Sequence, residues 1–206
     1  DVESVFEGSA YSIGGWIYLS SAQSAIDFFF MTTYSSGAAH GIYQRTEDGT
    51  AVLCHSIVYD GSTWYGPSAN YTISYDTYYH YVLVKNGTTA YVYINGNLWD
   101  SFSCPANLNL PASAKLYLGE HSNGVHYLTG REYDIRLYNR ALSQSEVKSW
   151  FYGKGNDNII DGLVGWWRMD EKPDGTVASG TDSIIDISGN NNSGTPYNSP
   201  VYRSAP

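Results

Sequence analysis

Two carboxylates at alternate positions, Glu132 and Asp134, are the residues of this 206-residue sequence best suited to chemistry. Ile135 and Leu137 alternate with polar side chains around them, which predicts a strand with both carboxylates on one face, about 6.6 Å apart. Carboxylate pairs serve as acid and nucleophile in glycoside hydrolysis. Arg136, however, stands at the next position of that face and cannot donate a proton near neutral pH. We therefore interpret Asp134 and Arg136 as a structural ion pair and predict no catalytic residue and no enzyme.

Histidine and serine patterns point to no other catalytic site. The sequence has no Gly-x-Ser-x-Gly motif, and its five histidines lack the His-x-x-x-His spacing of a helical metal site. His121 and Asn123 follow a predicted strand at 115–119 in a glycine-containing loop. We expect them to supply hydrogen bonds to a ligand, with an ordinary polar loop as the alternative.

Aromatic residues in a loop or just after a turn form a second candidate group. Trp64 and Tyr65 lie in a loop-like segment at 60–67, and Trp99 follows the tight turn predicted at 95–96. Sugar rings stack on aromatic faces, so we predict ligand binding by these three residues, with packing as the open alternative. The net charge of −9 and the few Lys and Arg residues favour a neutral glycan over an anionic one.

A calcium site is predicted near the C-terminus. The pattern Asp186-x-Ser-x-Asn190-x-Asn192 places an oxygen ligand at every second residue of a glycine-bearing loop. Calcium prefers such carboxylate and amide oxygens. The alternative is a turn in which these side chains bond to their own backbone.

The elements that must position these residues are mainly strands. The chain has 20 Tyr and 21 Gly but few charged residues, and β-type segments recur every 8 to 15 residues, including a meander over 79–102. One helix is predicted at 143–152, because Ser143 and Glu146 form a capping-box pattern. The fold class is therefore predicted to be all-β.

Charge and hydropathy exclude two classes of partner. A chain with a net charge of −9 is unsuited to nucleic acid, and no apolar run approaches the roughly 20 residues that cross a bilayer. The two cysteines, Cys54 and Cys104, could form a disulfide in an exported protein or remain buried thiols.

The segment GREYDIRLYNRALSQSE at 130–146 resembles the closing motif of laminin-G-like, concanavalin A-like domains. The meander and the sequence KLYLG at 115–119 resemble other strands of that family in the same order. The resemblance implies a two-sheet antiparallel jelly-roll sandwich. Glucanases of this superfold carry Glu-x-Asp-x-Glu on one strand, and Arg136 replaces the third carboxylate here.

Residues 162–171 and 186–195 resemble the usual N-terminal segment of the same family, although here they come last. The second of these stretches contains Asp186, Asn190 and Asn192 and is similar to the calcium loop of many members of that family. Either a second domain begins near residue 160, or the segment completes the first domain by circular permutation. We favour the second alternative and predict one domain over 1–206, completed by residues 160–206.

These observations predict a non-catalytic carbohydrate-recognition or adhesion domain at an extracellular, cell or virion surface. A structural protein that decorates a phage or virus particle or an extracellular filament, and contacts protein neighbours, is the alternative. We expect a glycan partner, no nucleic acid and no insertion into a membrane. The fold alone cannot choose between the two functions, because function depends on the sites that a fold carries.

Overall fold

The computed structural model describes residues 2–20, 27–32, 39–47, 51–60, 63–69, 71–108, 115–120 and 127–204. Two helices are present in this part of the chain, α1 Val2–Glu7 and α2 Gln144–Gly153. The strands are β1 Ala10–Leu19, β2 Asp27–Thr32, β3 Ala39–Glu47, β4 Ala51–Tyr59, β5 Trp64–Tyr65, β6 Tyr71–Ile73, β7 Tyr78–Asn86, β8 Thr89–Ile94, β9 Asn97–Ser103, β10 Leu116–Leu118, β11 Gly130–Tyr138 and β12 Leu163–Trp167.

The strands form two antiparallel sheets, which confirms the predicted sandwich. The first sheet has the order β12-β11-β1-β7-β8-β9, and the second has the order β10-β2-β3-β4-β5 with β6 also paired to β4. The turn between β8 and β9 has Asn95 at φ 49° and Gly96 at φ 74°. These angles match the two-residue turn that an Asn-Gly pair favours between antiparallel strands.

The first sheet is buried on both faces. Its inner face packs in the main core, where Ile13, Leu83 and Leu137 lie, while its outer face carries Val82 and Tyr138. Strand β7 consequently has six consecutive buried residues, whereas the alternating sequence at 79–85 predicts burial of one face only. Helix α2 causes this, because its Val147 and Trp150 cover the outer face.

Helix α2 begins where the capping-box pattern predicts. The Ser143 hydroxyl accepts a hydrogen bond from the Glu146 amide at 3.3 Å, and the Glu146 carboxylate accepts one from the Ser143 amide at 2.8 Å. Hydrogen bonding from Arg140 is the main reason that the pKa of Glu146 falls to about 2. Helix α1 was not predicted from the sequence. Its Phe6 is buried against the ring of Tyr11.

Cys104 is a buried free cysteine just after β9, so the structure favours the thiol alternative over the predicted disulfide. Burial raises the pKa of this thiol, although the nearby Lys85 opposes the shift. The Lys85 ammonium donates to the carbonyls of Ser9, Gly87 and Ala106. Cys54 lies on β4 in the second sheet, and its side chain is outside the described residues.

The C-terminal segment contributes an edge strand to the first sheet. Strand β12 pairs with β11, the neighbour of β1, in a register that sets Trp167 opposite Ile135. From the family resemblance we expect residues 162–171 to form a central strand beside the 11–20 strand or beside a neighbour of that strand. Strand β12 does pair with such a neighbour, β11, but the central position was wrong, because β12 lies at the edge of the sheet. Trp167 is 3% exposed, lies over Gly165 and donates its indole N–H to the Asn192 carbonyl at 2.9 Å. The assignment of residues 1–206 to one domain stays a prediction.

Replacing Trp167 with alanine tests that assignment. If residues 160–204 fold with the sandwich, Trp167→Ala should lower the free energy of unfolding by about 3–5 kcal/mol, as expected for a buried aromatic side chain. Denaturant unfolding would measure the loss. Ile160→Ala, at a residue that is 66% exposed, is the matched control and should change stability by less than about 0.5 kcal/mol. If the free energy of unfolding of the sandwich is unchanged in Trp167→Ala, residues 160–204 form a separate second unit.

Candidate functional site

The two candidate carboxylates of β11 lie on opposite faces of the first sheet. The pairing of β1 with β11 shifts between Gly14 and Trp16, and Asp134 has a left-handed φ of 54°, which marks a bulge. Gly15 lies opposite the bulge, where an added Cβ would be 2.5 Å from Ile135 Cδ1. The extra residue reverses the alternation that the sequence predicted, so the two carboxylates do not share one face.

Glu132 faces the inner side of the sheet. A Cβ built on Gly119 would lie 3.4 Å from its Oε2 atom and 3.7 Å from Leu128, a residue that packs against the main core. Burial raises the pKa of Glu132 well above its usual range, although the Gly119 amide opposes this. Asp134 instead lies under α2. The two groups therefore cannot act together as acid and nucleophile on one substrate.

Asp134 is a fully buried acceptor of four hydrogen bonds. Arg136 donates to it through Nε at 2.8 Å and through Nη2 at 3.1 Å. Trp150 of α2 and Trp166 of β12 donate their indole N–H groups at 2.9 and 2.6 Å. The predicted Asp134–Arg136 ion pair is present, and its partners show that it joins three elements.

Arg136 is equally enclosed. It donates to both carboxylate oxygens of Asp157, at 2.7 and 2.9 Å, and its guanidinium lies 5.1 Å from the Trp150 ring and 4.1 Å from the Trp166 ring. Burial alone would lower the pKa of Arg136, but the hydrogen bonds to Asp157 and the charge of Asp134 raise it above its ordinary value. With every charge paired, this cluster has a structural role rather than a reactive one.

His80 lies in a ring cluster beside this network. Its ring is 5.3 Å from Trp16 and 5.0 Å from Trp150, and Phe151 stacks on Trp16 at 5.3 Å. Neither imidazole nitrogen has a hydrogen-bond partner among the described residues. Burial, together with the charge of Arg136, lowers the pKa of His80 to about 3, so this histidine is neutral in the folded protein.

Trp64 and Tyr65 do not form a joint platform. Successive strand residues point to opposite faces, and Trp64 is 55% exposed whereas Tyr65 packs against the main core. The Tyr65 hydroxyl donates to Asp60 at 2.9 Å. Trp64 keeps the exposure that ligand stacking requires, and Tyr65 serves packing.

Trp99 also packs inward. Its ring meets the ring of Tyr71 edge-on at 5.4 Å, and both residues contact the main core. A stacking role for Trp99 is therefore not favoured by its position.

His121 and Asn123 lie outside the described residues, but the strand before them is described. That strand, β10, and the Trp64 strand, β5, occupy opposite ends of the strand order in the second sheet. Four inter-strand spacings separate them, or about 19 Å. The predicted hydrogen bonds from His121 and Asn123 to a ligand stay a prediction.

The Asp186 carboxylate accepts four hydrogen bonds, one from strand β12 and three from its own loop. Oδ1 accepts from the amides of Trp166 and Ser188, each at 2.9 Å. Oδ2 accepts from the Ser188 hydroxyl at 2.8 Å and the Asn192 amide at 2.9 Å. A calcium ion would have to replace some of these donors, and so calcium binding stays a prediction.

Asn190 and Asn192 direct their side-chain N–H groups to strand β12. Asn190 donates to the carbonyls of Leu163 and Val164 at 3.0 and 3.2 Å, and Asn192 donates to Val164 at 2.8 Å. These bonds occupy backbone acceptors on the side of β12 that pairs with no other strand among the described residues. The segment 186–192 therefore acts as a polar cover for an edge strand, a device that limits edge-to-edge association.

A shallow groove of about 480 Å³ lies beside this cover, between α1 and β12. Its polar lining comes from Ser4, Asn139 and Asn190, and none of the described residues that line it is ionisable. Among the described residues, no group of three His, Cys, Asp or Glu side chains is placed to hold a metal ion. Neither described helix is long and apolar enough to cross a membrane.

A group that the sequence did not single out lies at one end of the first sheet. Tyr18 is paired with Tyr78 on one side and with Arg131 on the other. The two rings are 4.9 Å apart, the Arg131 guanidinium lies 5.1 Å from the Tyr18 ring, and the Tyr18 hydroxyl donates to Asp76 at 2.8 Å. Nothing in the local sequence marks these residues, because only strand register brings them together.

Protonation of His80 should make stability depend on pH. Since its pKa is about 3 when folded and 6.5 when unfolded, the unfolded chain binds one more proton between these values. The free energy of unfolding should therefore fall as pH drops below 6.5, by roughly 1.4 kcal/mol per pH unit. Denaturant unfolding of wild type and His80→Phe across this range would measure it. Parallel pH curves for the two proteins would contradict the assignment.

Asp186 should stabilise the β12 edge whether or not calcium is present. Asp186→Asn keeps the size of the side chain but loses the charge that holds four N–H and O–H donors, so we expect the free energy of unfolding to fall by about 1–3 kcal/mol. Thermal unfolding in calcium and in chelator should show the same loss. A loss seen only in calcium would instead support the predicted metal site, because ligand binding stabilises by mass action.

Comparison with solved structures shows the same fold in proteins of low sequence identity. A proposed carbohydrate-binding protein from Bacteroides ovatus has a TM-score of 0.63 and 15% identity, over 88% of this chain and 50% of that one. Tailspike protein 2 of bacteriophage CBA120 has a TM-score of 0.61 and 12% identity, over 80% and 27%. The heptameric pentraxin of Limulus polyphemus has a TM-score of 0.51 and 14% identity, over 70% of each.

The chain thus spans half the length of the Bacteroides structure and about a quarter of the tailspike structure. No curated protein matches the sequence. The family model described as the concanavalin A-like lectin/glucanases superfamily matches residues 2–148, which include β1, the meander and the buried Asp134–Arg136 motif. The chain therefore belongs to the concanavalin A-like lectin/glucanase superfamily.

Proposed function

We propose that this chain is a non-catalytic carbohydrate-recognition domain that acts at an extracellular, cell or particle surface. The observation that carries the proposal is the exposure of Trp64. The protein has six tryptophans, of which Trp16, Trp150 and Trp167 are buried, while Trp64 is 55% exposed. A large apolar ring held at a sheet edge is suited to stacking against the C–H face of a sugar.

The polar surroundings of Trp64 support the proposal. Asp60 accepts hydrogen bonds from the Thr63 amide at 2.8 Å and from the Tyr65 hydroxyl at 2.9 Å, which restrain the loop that carries the tryptophan. These bonds hold the residues on either side of Trp64, and a preordered site loses little conformational freedom when a ligand binds. The carbohydrate-binding description of the Bacteroides structure agrees with this role, although its similarity concerns the fold.

Charge favours a neutral glycan. The net charge of −9 disfavours an anionic polymer. Four of the described arginines, Arg136, Arg140, Arg168 and Arg203, are already paired with carboxylates. A shallow site of this kind should bind weakly, with Kd of the order of ~0.1–1 mM.

The absence of a joint acid–nucleophile pair on β11 supports a non-catalytic role. Asp134 is committed to four hydrogen bonds, and Glu132 faces the other side of the sheet. Both carboxyl groups that glycoside hydrolysis would need are thus unavailable to one sugar ring.

A structural role at a particle surface is the second candidate, because apolar side chains are exposed along the C-terminal segment. Ile160 and Tyr197 are each 66% exposed, and Val177 is 51% exposed. Exposed apolar groups of this kind suit contacts with protein neighbours. The tailspike similarity is compatible with this candidate at the level of the fold.

A glycan array, run with calcium and with chelator, tests the carbohydrate proposal. We expect signals from neutral glycans, and the bound glycan should shift the Trp64 indole N–H resonance in a titration followed by NMR. Trp64→Ala should weaken that glycan at least about tenfold, which corresponds to ~1.4 kcal/mol, with an unchanged melting temperature. Trp99→Ala is the matched control and should lower the melting temperature, because Trp99 packs inward.

Two results would contradict the proposal. An array without any glycan signal would favour the structural candidate. A Trp64→Ala protein that melts several degrees lower would show that Trp64 serves packing instead of binding.

A further inference from the structure

Three adjacent strands of the first sheet present a row of side chains on its outer face. The row consists of Tyr78 on β7, Tyr18 on β1 and Arg131 on β11, which are direct cross-strand neighbours. Trp16, two residues before Tyr18, contacts Phe151 of α2 and therefore faces outward. Tyr18 shares that face because strand side chains alternate.

The row begins where the cover of α2 ends. The preceding row of the same three strands contains His80, Trp16 and Tyr133, all buried. Phe151 stacks on Trp16, and the Tyr133 hydroxyl donates to the Lys154 carbonyl at 3.3 Å. In contrast, Tyr18 and Tyr78 are half-buried, and Arg131 is exposed.

Tyr18 is held in one orientation although it reaches the surface. Its ring contacts Tyr78 at 4.9 Å, the Arg131 guanidinium lies against it at 5.1 Å, and its hydroxyl donates to Asp76 Oδ1 at 2.8 Å. Asp76 is itself fixed, because its amide donates to the Leu19 carbonyl at 2.8 Å and its φ is 56°. Such preorganisation lowers the entropy that a ligand must overcome.

The charges at the two ends of the row differ in sign. Arg131 forms no ion pair with any described residue and offers N–H donors in the plane of its guanidinium. Asp76 engages Tyr18 through one carboxylate oxygen, which leaves the carboxylate able to accept from a further hydroxyl. A net-neutral surface with a donor, an aromatic ring and an acceptor fits a polyol that has an apolar face.

We propose that Tyr18, Tyr78, Arg131 and Asp76 form a second binding site, which takes one neutral hexopyranose unit. The sugar packs its C–H face against the solvent-exposed side of the two tyrosine rings, and its hydroxyls accept from Arg131 and donate to Asp76. The row spans two inter-strand spacings, about 10 Å, which accommodates a single sugar ring with its substituents. The inference rests on the proposed function, but it concerns the first sheet, whereas Trp64 lies at the edge of the second.

The test uses the full chain carrying Trp64→Ala, so that only the proposed row is available. The probes are the methyl glycosides of glucose, galactose and mannose, with methyl glucuronide as the anionic counterpart, each titrated at millimolar concentration. Binding is followed by NMR through the amide signals of Tyr18 and Asp76 and the side-chain Nε–H signal of Arg131. At least one neutral glycoside should shift these signals more than the glucuronide does.

Variants in the same background identify the residues. Arg131→Gln removes the charge at an exposed position and should weaken the neutral glycoside about tenfold, in line with a charge-assisted hydrogen bond of ~1.4 kcal/mol or more. Tyr18→Phe keeps the ring but frees Asp76, and should weaken binding by a smaller factor. Tyr18→Ala should abolish binding. Because Arg131 is exposed, its variant stays informative even if Tyr18→Ala fails to fold.

The outcomes separate this site from the proposed function. If array glycans bind the wild type through Trp64 but no glycoside perturbs the row, the second site is refuted and the proposed function stands. If no neutral glycan binds the wild type by either method, both are refuted. Tighter binding of the glucuronide than of every neutral glycoside would overturn the assignment of the ligand class.

Discussion

The buried ion pair of Asp134 and Arg136 is the interaction on which the outer layer of this protein depends. It bonds to the indoles of Trp150 on α2 and Trp166 on β12, and to Asp157 in the connection between them. Removing one partner of such a pair leaves an uncompensated buried charge, at a cost of about 3–5 kcal/mol. One cluster therefore fixes the helix, its following loop and the edge strand against the first sheet.

This arrangement decides where a ligand can bind. Helix α2 covers the part of the outer face that carries Val82, Val84 and Tyr138, and the main core covers the inner face. Trp64 lies at one edge of the second sheet, and the Tyr18 row lies just beyond the end of α2.

The loop beside edge strand β12 shows that a sequence pattern which predicts a cation site can also stabilise a strand edge. The oxygens and amides of Asp186, Asn190 and Asn192 have the spacing of cation ligands, yet in the structure they bond to the backbone of β12 and of their own loop. An open strand edge carries unpaired polar groups. Asx side chains can satisfy those groups without adding another strand.

The sequence by itself determined the fold family and most of the elements, helix α1 being an exception. Local signals sufficed for this, since Ser143 and Glu146 mark the start of α2, Asn95 and Gly96 mark a hairpin, and alternation marks most strands. Tertiary structure alone decided the faces and neighbours of the site residues. The bulge at Asp134 reversed the alternation of β11, α2 turned β7 into a strand buried on both faces, and strand register assembled Tyr18, Tyr78 and Arg131. These outcomes depend on contacts between residues far apart in the chain, and periodicity within a segment carries no information about them.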